Sequence, residues 1–79
     1  MIRIYYNRTD RRWLAYEYQN GSETGPHYEI RRRGNHRSAI RFVLRQYDRT
    51  GPYGERLGAY VSLAEAHQAA DDHFAPQRS

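Results

Sequence analysis

The residues best suited to do chemistry are arginines. Arg31-Arg32-Arg33 forms a run, and Arg37, Arg41 and Arg45 follow at a spacing of four. On extended chain, Arg31 and Arg33 share a face, as do Arg41 and Arg45, because side chains alternate with period two. Paired as a hairpin, the two segments bring these four together, with Tyr47 and His27 beside them. Guanidinium groups bind phosphate and carboxylate through flat, two-pronged contacts. Arginine interleaved with aromatic rings suits nucleic acid, the cation on phosphate and the ring on base or sugar. The bland alternative is a solvated strand face whose arginine stems cover tyrosine rings. For any single arginine the bland reading is the better one. For the group, a charged partner is expected, since like charges held together are costly without one.

Acid–base and metal chemistry find weaker support. The histidines are His27, His36, His67 and His73. His67 and Asp71 stand at i, i+4 and could share a metal, but zinc sites take three or four ligands. His67 and His73 fall on different helix faces. The plainer reading makes them polar residues on a solvated helix surface. Asp10 with His36, or Glu29 with His27, could meet across strands, as some such pair does by chance in any small sheet. Asp71 and Asp72 are adjacent and point apart. No glycine-rich phosphate loop and no nucleophile elbow is present. There is no cysteine, which excludes disulfides, cysteine-ligated zinc and a thiol nucleophile. The expectation is a non-enzymatic chain with no catalytic residue, metal site or cofactor.

Five extended segments and one helix must position these residues. Residues 2–7 alternate, with Ile2, Ile4 and Tyr6 on one face. Residues 12–19 alternate as well, setting Leu14, Tyr16 and Tyr18 against Trp13, Ala15 and Glu17. Thr9-Asp10 makes the link a short turn. Asn20-Gly21 opens a long connection that continues through Gly25-Pro26. Residues 27–33 form a third strand with Tyr28, Ile30 and Arg32 on one face. Residues 39–47 form a fourth, with Ile40, Phe42 and Leu44 inward and Arg41 and Arg45 outward. Residues 48–54 read as loop. Residues 56–61 form a short fifth strand with Leu57, Ala59 and Val61 together. Ser62 and Glu65 then make a capping box. Leu63, Ala66, Ala70 and Phe74 make one apolar stripe, which predicts a helix over 63–74. The predicted core joins Leu14 or Tyr16 to Ile30, Phe42, Leu44, Leu57, Leu63, Ala66, Ala70 and Phe74. The fold class is α+β: a four- to five-stranded antiparallel sheet with one C-terminal helix on one face. The other face is left to present Arg and Tyr.

The 79 residues suffice for a single domain, 1–79. Apolar residues make up 38% of the chain, and eight Tyr, one Trp and two Phe compensate in part. The thirteen basic residues are all Arg, which codon bias in a GC-rich genome explains better than function does, although the guanidinium chemistry is present either way. Twelve Arg and six acids in residues 1–56 give +6, whereas one Arg and three acids in 57–79 give −2. The basic surface thus belongs to the strands. No apolar run has the length of a membrane span, and no signal peptide is visible. The expected setting is the cytoplasm of a host bacterial cell, for a monomer with no membrane contact.

One segment resembles a known family. Leu57-Gly58-Ala59-Tyr60, then Ser62, Glu65-Ala66 and Ala69, is similar to the strand-to-helix segment of AP2-type DNA-binding domains and the arm-binding domains of phage integrases. The resemblance implies a three-stranded sheet that reads DNA and is backed by the helix, with Tyr28–Arg33 in the place of the first, Arg-rich strand. It is specific over residues 57–69. It departs in lacking a Trp in strand four, in the longer loop over 48–55 and in the two extra strands ahead of the unit. A second resemblance is one of type: a small, cysteine-free, Arg-only chain with one helix looks like phage and mobile-element accessory proteins, among them anti-CRISPR inhibitors of type I surveillance complexes. That likeness implies docking on the complex to block target DNA or nuclease recruitment, and it carries over no residue.

Two functions are therefore expected. The first is an anti-CRISPR-type inhibitor that meets a protein or nucleoprotein complex through an acidic or phosphate surface. The alternative is a module that binds DNA directly. In either case the working residues are expected to be Arg31, Arg33, Arg37, Arg41 and Arg45, with Tyr47 at the edge.

Overall fold

The structure is a computed structural model and describes residues 1–35, 37–50 and 54–77. Five strands form one antiparallel sheet in the order β1-β2-β3-β4-β5, a plain meander. They are β1 (Ile2–Asn7), β2 (Arg12–Gln19), β3 (Ser22–Asn35), β4 (Ser38–Gln46) and β5 (Arg56–Tyr60). Helix α1 (Leu63–Phe74) follows and ends in a short 3-10 turn, Ala75–Gln77. The predicted fold class is the observed one, and the helix has the predicted bounds.

Strand β3 differs most from expectation. Its fourteen residues begin at Ser22, so the connection to β2 is the two-residue turn Asn20-Gly21 and not a long loop. Both residues have positive φ, 54° and 82°. That mirror-image turn matches the twist of a hairpin, and Asn-Gly tolerates it with least strain. Gly25 and Pro26, read as a turn, lie inside β3. There the β2–β3 register shifts between Ala15 and Glu17. A bulge absorbs the proline that an unbroken ladder would reject.

The same pairing sets the face of β2. Ile4 lies opposite Ala15 and Tyr6 opposite Trp13. Trp13 in turn meets Ile30, and Ala15 meets Tyr28. The helix-facing residues of β2 are therefore Trp13, Ala15 and Glu17, and Leu14 and Tyr16 stand on the other side. The sequence favours the opposite phase, because Leu-x-Tyr-x-Tyr is the more apolar set. Alternation alone carries no information about which face is covered. Strand β5 also departs. The register shifts between Leu44 and Arg45, so that Leu57 packs on the core while Ala59 pairs with Val43 on the far face.

The core consists of Ile2, Ala15, Tyr28, Ile30, Leu44, Ala66 and Ala70, with Trp13, Phe42, Leu57, Leu63 and Phe74 packed around it. Ala66 and Ala70 are fully buried. Their small size lets α1 lie close on β3 and β4. Each of Ile30 and Leu44 contributes on the order of 1.5–3 kcal/mol by leaving water. Ser62 caps the helix, its Oγ accepting from the Glu65 N–H at 3.2 Å. The returning bond of the box is displaced by one residue: Glu65 accepts from the N–H of Val61 and not of Ser62.

His67 and Asp71 are not on a solvated surface. The His67 Nε2–H donates to the Ile2 carbonyl at 2.6 Å, and Asp71 Oδ1 accepts from the Ile2 N–H at 3.2 Å. The i, i+4 pair clamps one backbone unit of the first strand.

Candidate functional site

The helix covers one face of the sheet, so the opposite face is open to solvent. Its residues follow from the register. Glu29 lies opposite Arg45, Arg31 opposite Val43 and Arg33 opposite Arg41. Arg45 then lies opposite Arg56, and Val43 opposite Ala59. The four strand arginines predicted from the sequence do share this face.

They are not equivalent. Arg31 is half-buried, and its Nε donates to Glu29 at 3.2 Å. Arg45 is half-buried and reaches the Gly54 carbonyl at 3.4 Å. Arg33 and Arg41 are exposed. Arg41 donates to the neighbouring Ile40 carbonyl at 2.8 Å. Neither Arg33 nor Arg41 is ion-paired among the described residues. Arg37 sits in the β3–β4 turn, away from the strand cluster, where its N–H is held by Asn35 Oδ1 at 2.8 Å. Tyr47 follows β4 and is half-buried beneath Arg12, whose guanidinium carbon lies 5.5 Å from the ring centre. It borders the cluster without presenting a free ring.

Arg33, Arg41, Arg45 and Arg56 rim a shallow groove of about 420 Å³ with Val43 and Ala59 on its floor. Arg56 is a further member that the arginine spacing on strands three and four does not reveal. Alternation from Leu57 sets it on the open face; what five residues do not show is the bulge that brings it opposite Arg45 while Ala59 also stands on that face. Gly34 closes one end of the groove with φ 105°. A Cβ there would stand 2.5 Å from the Ala39 carbonyl oxygen. Only glycine allows the β3–β4 ribbon to close so tightly beside Arg33 and Arg41.

Glu29 was also missed. It is 2% exposed and lies on the open face beneath the arginines. Arg12 Nη1 donates to one of its carboxylate oxygens and Arg31 Nε to the other. Arg12 also donates to Asp10 at 3.1 Å. Burial disfavours the Arg12 charge, but the bonds to Glu29 and Asp10 outweigh it and hold the guanidinium above its ordinary pKa. The carboxylate thus absorbs Arg12 and Arg31, leaving the β3–β5 end as the unbalanced positive region.

The acid–base candidates are engaged structurally. His27 bonds Thr24 at 3.1 Å and not Glu29. His73 Nδ1 shares a 2.7 Å hydrogen bond with the Tyr28 hydroxyl. His36 lies outside the described residues, so its pairing with Asp10 does too. Among the described residues no three His, Asp or Glu stand together as a metal cluster would need. Among the described residues no helix is long and apolar enough to cross a membrane. No family model, curated protein or solved structure matches the chain.

Proposed function

We propose that the chain is a small non-enzymatic binding protein whose open sheet face takes a phosphate backbone, and that it binds nucleic acid directly. The observation that carries this reading is the groove between β3 and β5. Arg33, Arg41 and Arg56 converge there with no carboxylate partner among the described residues. Its floor is small, Val43 and Ala59, with no large ring to anchor a protein. Arg41 and Arg45, four residues apart, stand roughly 13 Å from each other along the strand. Paired arginines across β3–β4 and β4–β5 can therefore meet phosphates at two separated points. The order of three antiparallel strands followed by a helix also agrees with what the AP2 and integrase-arm resemblance implies. The engagement of Glu29, His67, Asp71 and His73 in structural bonds supports a non-catalytic role.

A second reading is favoured by the other half of the same face, where Tyr5, Tyr16 and Tyr18 stand on β1 and β2. Tyrosine suits protein contacts. A partner with both phosphate and protein surface, such as a type I CRISPR surveillance complex, would use both halves, as an anti-CRISPR-type inhibitor in a bacterial cytoplasm. The deciding experiment is a mobility-shift assay on a short random-sequence duplex, with wild type and with Arg33→Glu/Arg41→Glu. Binding by the first and its loss in the second supports direct recognition. Absence of duplex binding, with co-elution on a surveillance complex, supports the inhibitor.

A further inference from the structure

The sheet has two edges, β1 and β5, and they differ in what they leave open. On β1, the Tyr18 N–H donates to the Met1 carbonyl at 2.9 Å. Inward and outward groups alternate along an antiparallel ladder. With Ile2 opposite Glu17 and Asn7 opposite Arg12, residues 1, 3, 5 and 7 bond inward to β2. Ile2, Ile4 and Tyr6 therefore point their N–H and C=O groups outward. Those of Ile2 are taken by Asp71 and His67 of α1. Those of Ile4 and Tyr6 have no bond among the described residues.

Four backbone groups on two residues remain, flanked by side chains that are exposed for their size: Tyr5 is 47% and Tyr6 51% exposed. Strand edges are ordinarily guarded by lysine, proline, a bulge or a covering element. On β1 the sole charge is Arg3, and its guanidinium carbon lies 3.6 Å from the Tyr18 ring centre. The β5 edge begins with Arg56 and adjoins Arg41 and Arg45. Two such edges would repel, and a β1–β5 contact would not close on itself.

We infer that β1 pairs antiparallel with β1 of a second copy, centred on Tyr5. That register sets Ile4 against Tyr6 of the other copy, and Tyr6 against its Ile4, so all four outward groups are bonded. Tyr5 faces its own twin across the two-fold axis, in the closer, non-hydrogen-bonded kind of pair. Arg3 faces Asn7, so no like charges meet. Ile2, already clamped by the helix, lies outside the ladder and marks its end. The product joins the two five-stranded sheets into one, with an arginine groove at each outer end, both unobstructed. The monomer expected from sequence gives way here to a two-fold dimer, and this does not depend on what the grooves bind.

The test uses the whole chain. Light scattering across the micromolar range should give wild type a mass rising toward twice 9.4 kDa. Tyr6→Pro removes one outward N–H without touching the β1–β2 ladder, and it should stay at the single-chain mass with an unchanged circular dichroism spectrum. A second variant, Tyr5→Cys, gives a reading that does not depend on the strand tolerating proline. The chain has no other cysteine, and opposed Cα atoms at about 4.5 Å lie within disulfide range. Oxidised glutathione should accept the two electrons and two protons, leaving a disulfide between the introduced thiols of the two copies. Arg3→Cys, whose position faces Asn7, should remain uncrosslinked. A wild type at the single-chain mass up to millimolar concentration overturns the proposal, as does crosslinking of Arg3→Cys in preference to Tyr5→Cys. A foreign strand captured on β1 by an otherwise monomeric chain would likewise count against it.

Discussion

The two halves of the open face carry similar residues and use them differently. On the β1–β2 side the cations are engaged. Arg3 stacks on Tyr18, Arg12 is shared between Glu29 and Asp10, and the tyrosines pack on one another, with Tyr5 and Tyr16 rings 5.7 Å apart. On the β3–β5 side Arg33, Arg41 and Arg56 have no such partner among the described residues. Arginine density alone therefore does not say where positive charge is left unbalanced. That is set by where the acids run out, and one buried carboxylate, Glu29, draws the line.

Removing that carboxylate should have the largest effect. Glu29→Gln leaves Arg12, whose side chain is 15% exposed, without its buried counter-charge. Losing one partner of a buried pair costs about 3–5 kcal/mol; Arg12 keeps its bond to Asp10, so urea denaturation should show a loss toward the lower end of that range. Leu44→Ala should cost about 2–5 kcal/mol by opening a cavity under both halves. It serves as the control in which stability falls without any change of surface charge.

Charge reversal tests the halves separately. Arg33→Glu/Arg41→Glu should change stability by no more than about 0.5 kcal/mol, as exposed substitutions do. It should weaken polyanion binding by at least about tenfold, or 1.4 kcal/mol. Arg3→Glu, in the half where cations are already engaged, should alter binding far less. Ser62→Ala touches neither half and should lower stability by about 1 kcal/mol through loss of the helix cap.

The smallest effect concerns Tyr5. Its hydroxyl donates to Glu23, and that bond raises its pKa above the ordinary tyrosine value. The bond is present at lower pH and is lost as the hydroxyl ionises. Glu23→Gln should therefore bring this tyrosine's ultraviolet titration down toward the ordinary tyrosine value.

Much of the fold was legible because local signals agreed. Alternation in five segments, the Ser62–Glu65 pair and the alanine stripe all pointed to one sheet with one helix. The phase of β2 was not legible. Trp13-Leu14-Ala15-Tyr16 is apolar on both faces, and the choice between them is made by pairing with β1 and β3. The length of β3 was obscured by Gly25-Pro26, which a bulge accommodates. Of the candidate site, Arg33, Arg41, Arg31 and Arg45 were legible from strand spacing. Arg37 was assigned to the same group by its spacing of four from Arg41, but it lies in the turn. Arg56 lies outside the arginine run of the third and fourth strands, and only the pairing of β5 with β4 brings it beside Arg45; Glu29 was hidden because a carboxylate among arginines gives no sign of being buried.

The most direct test of the central claim is a salt titration of duplex binding, followed by fluorescence anisotropy with wild type and Arg33→Glu/Arg41→Glu. Each phosphate neutralised contributes about −0.9 to the slope of log K against log salt. If the groove arginines meet phosphates, wild type should bind at low salt with a slope of about −3, and the folded double variant should bind weakly with a slope shallower by about 2. Equal affinity and equal slope for the two proteins would contradict the account.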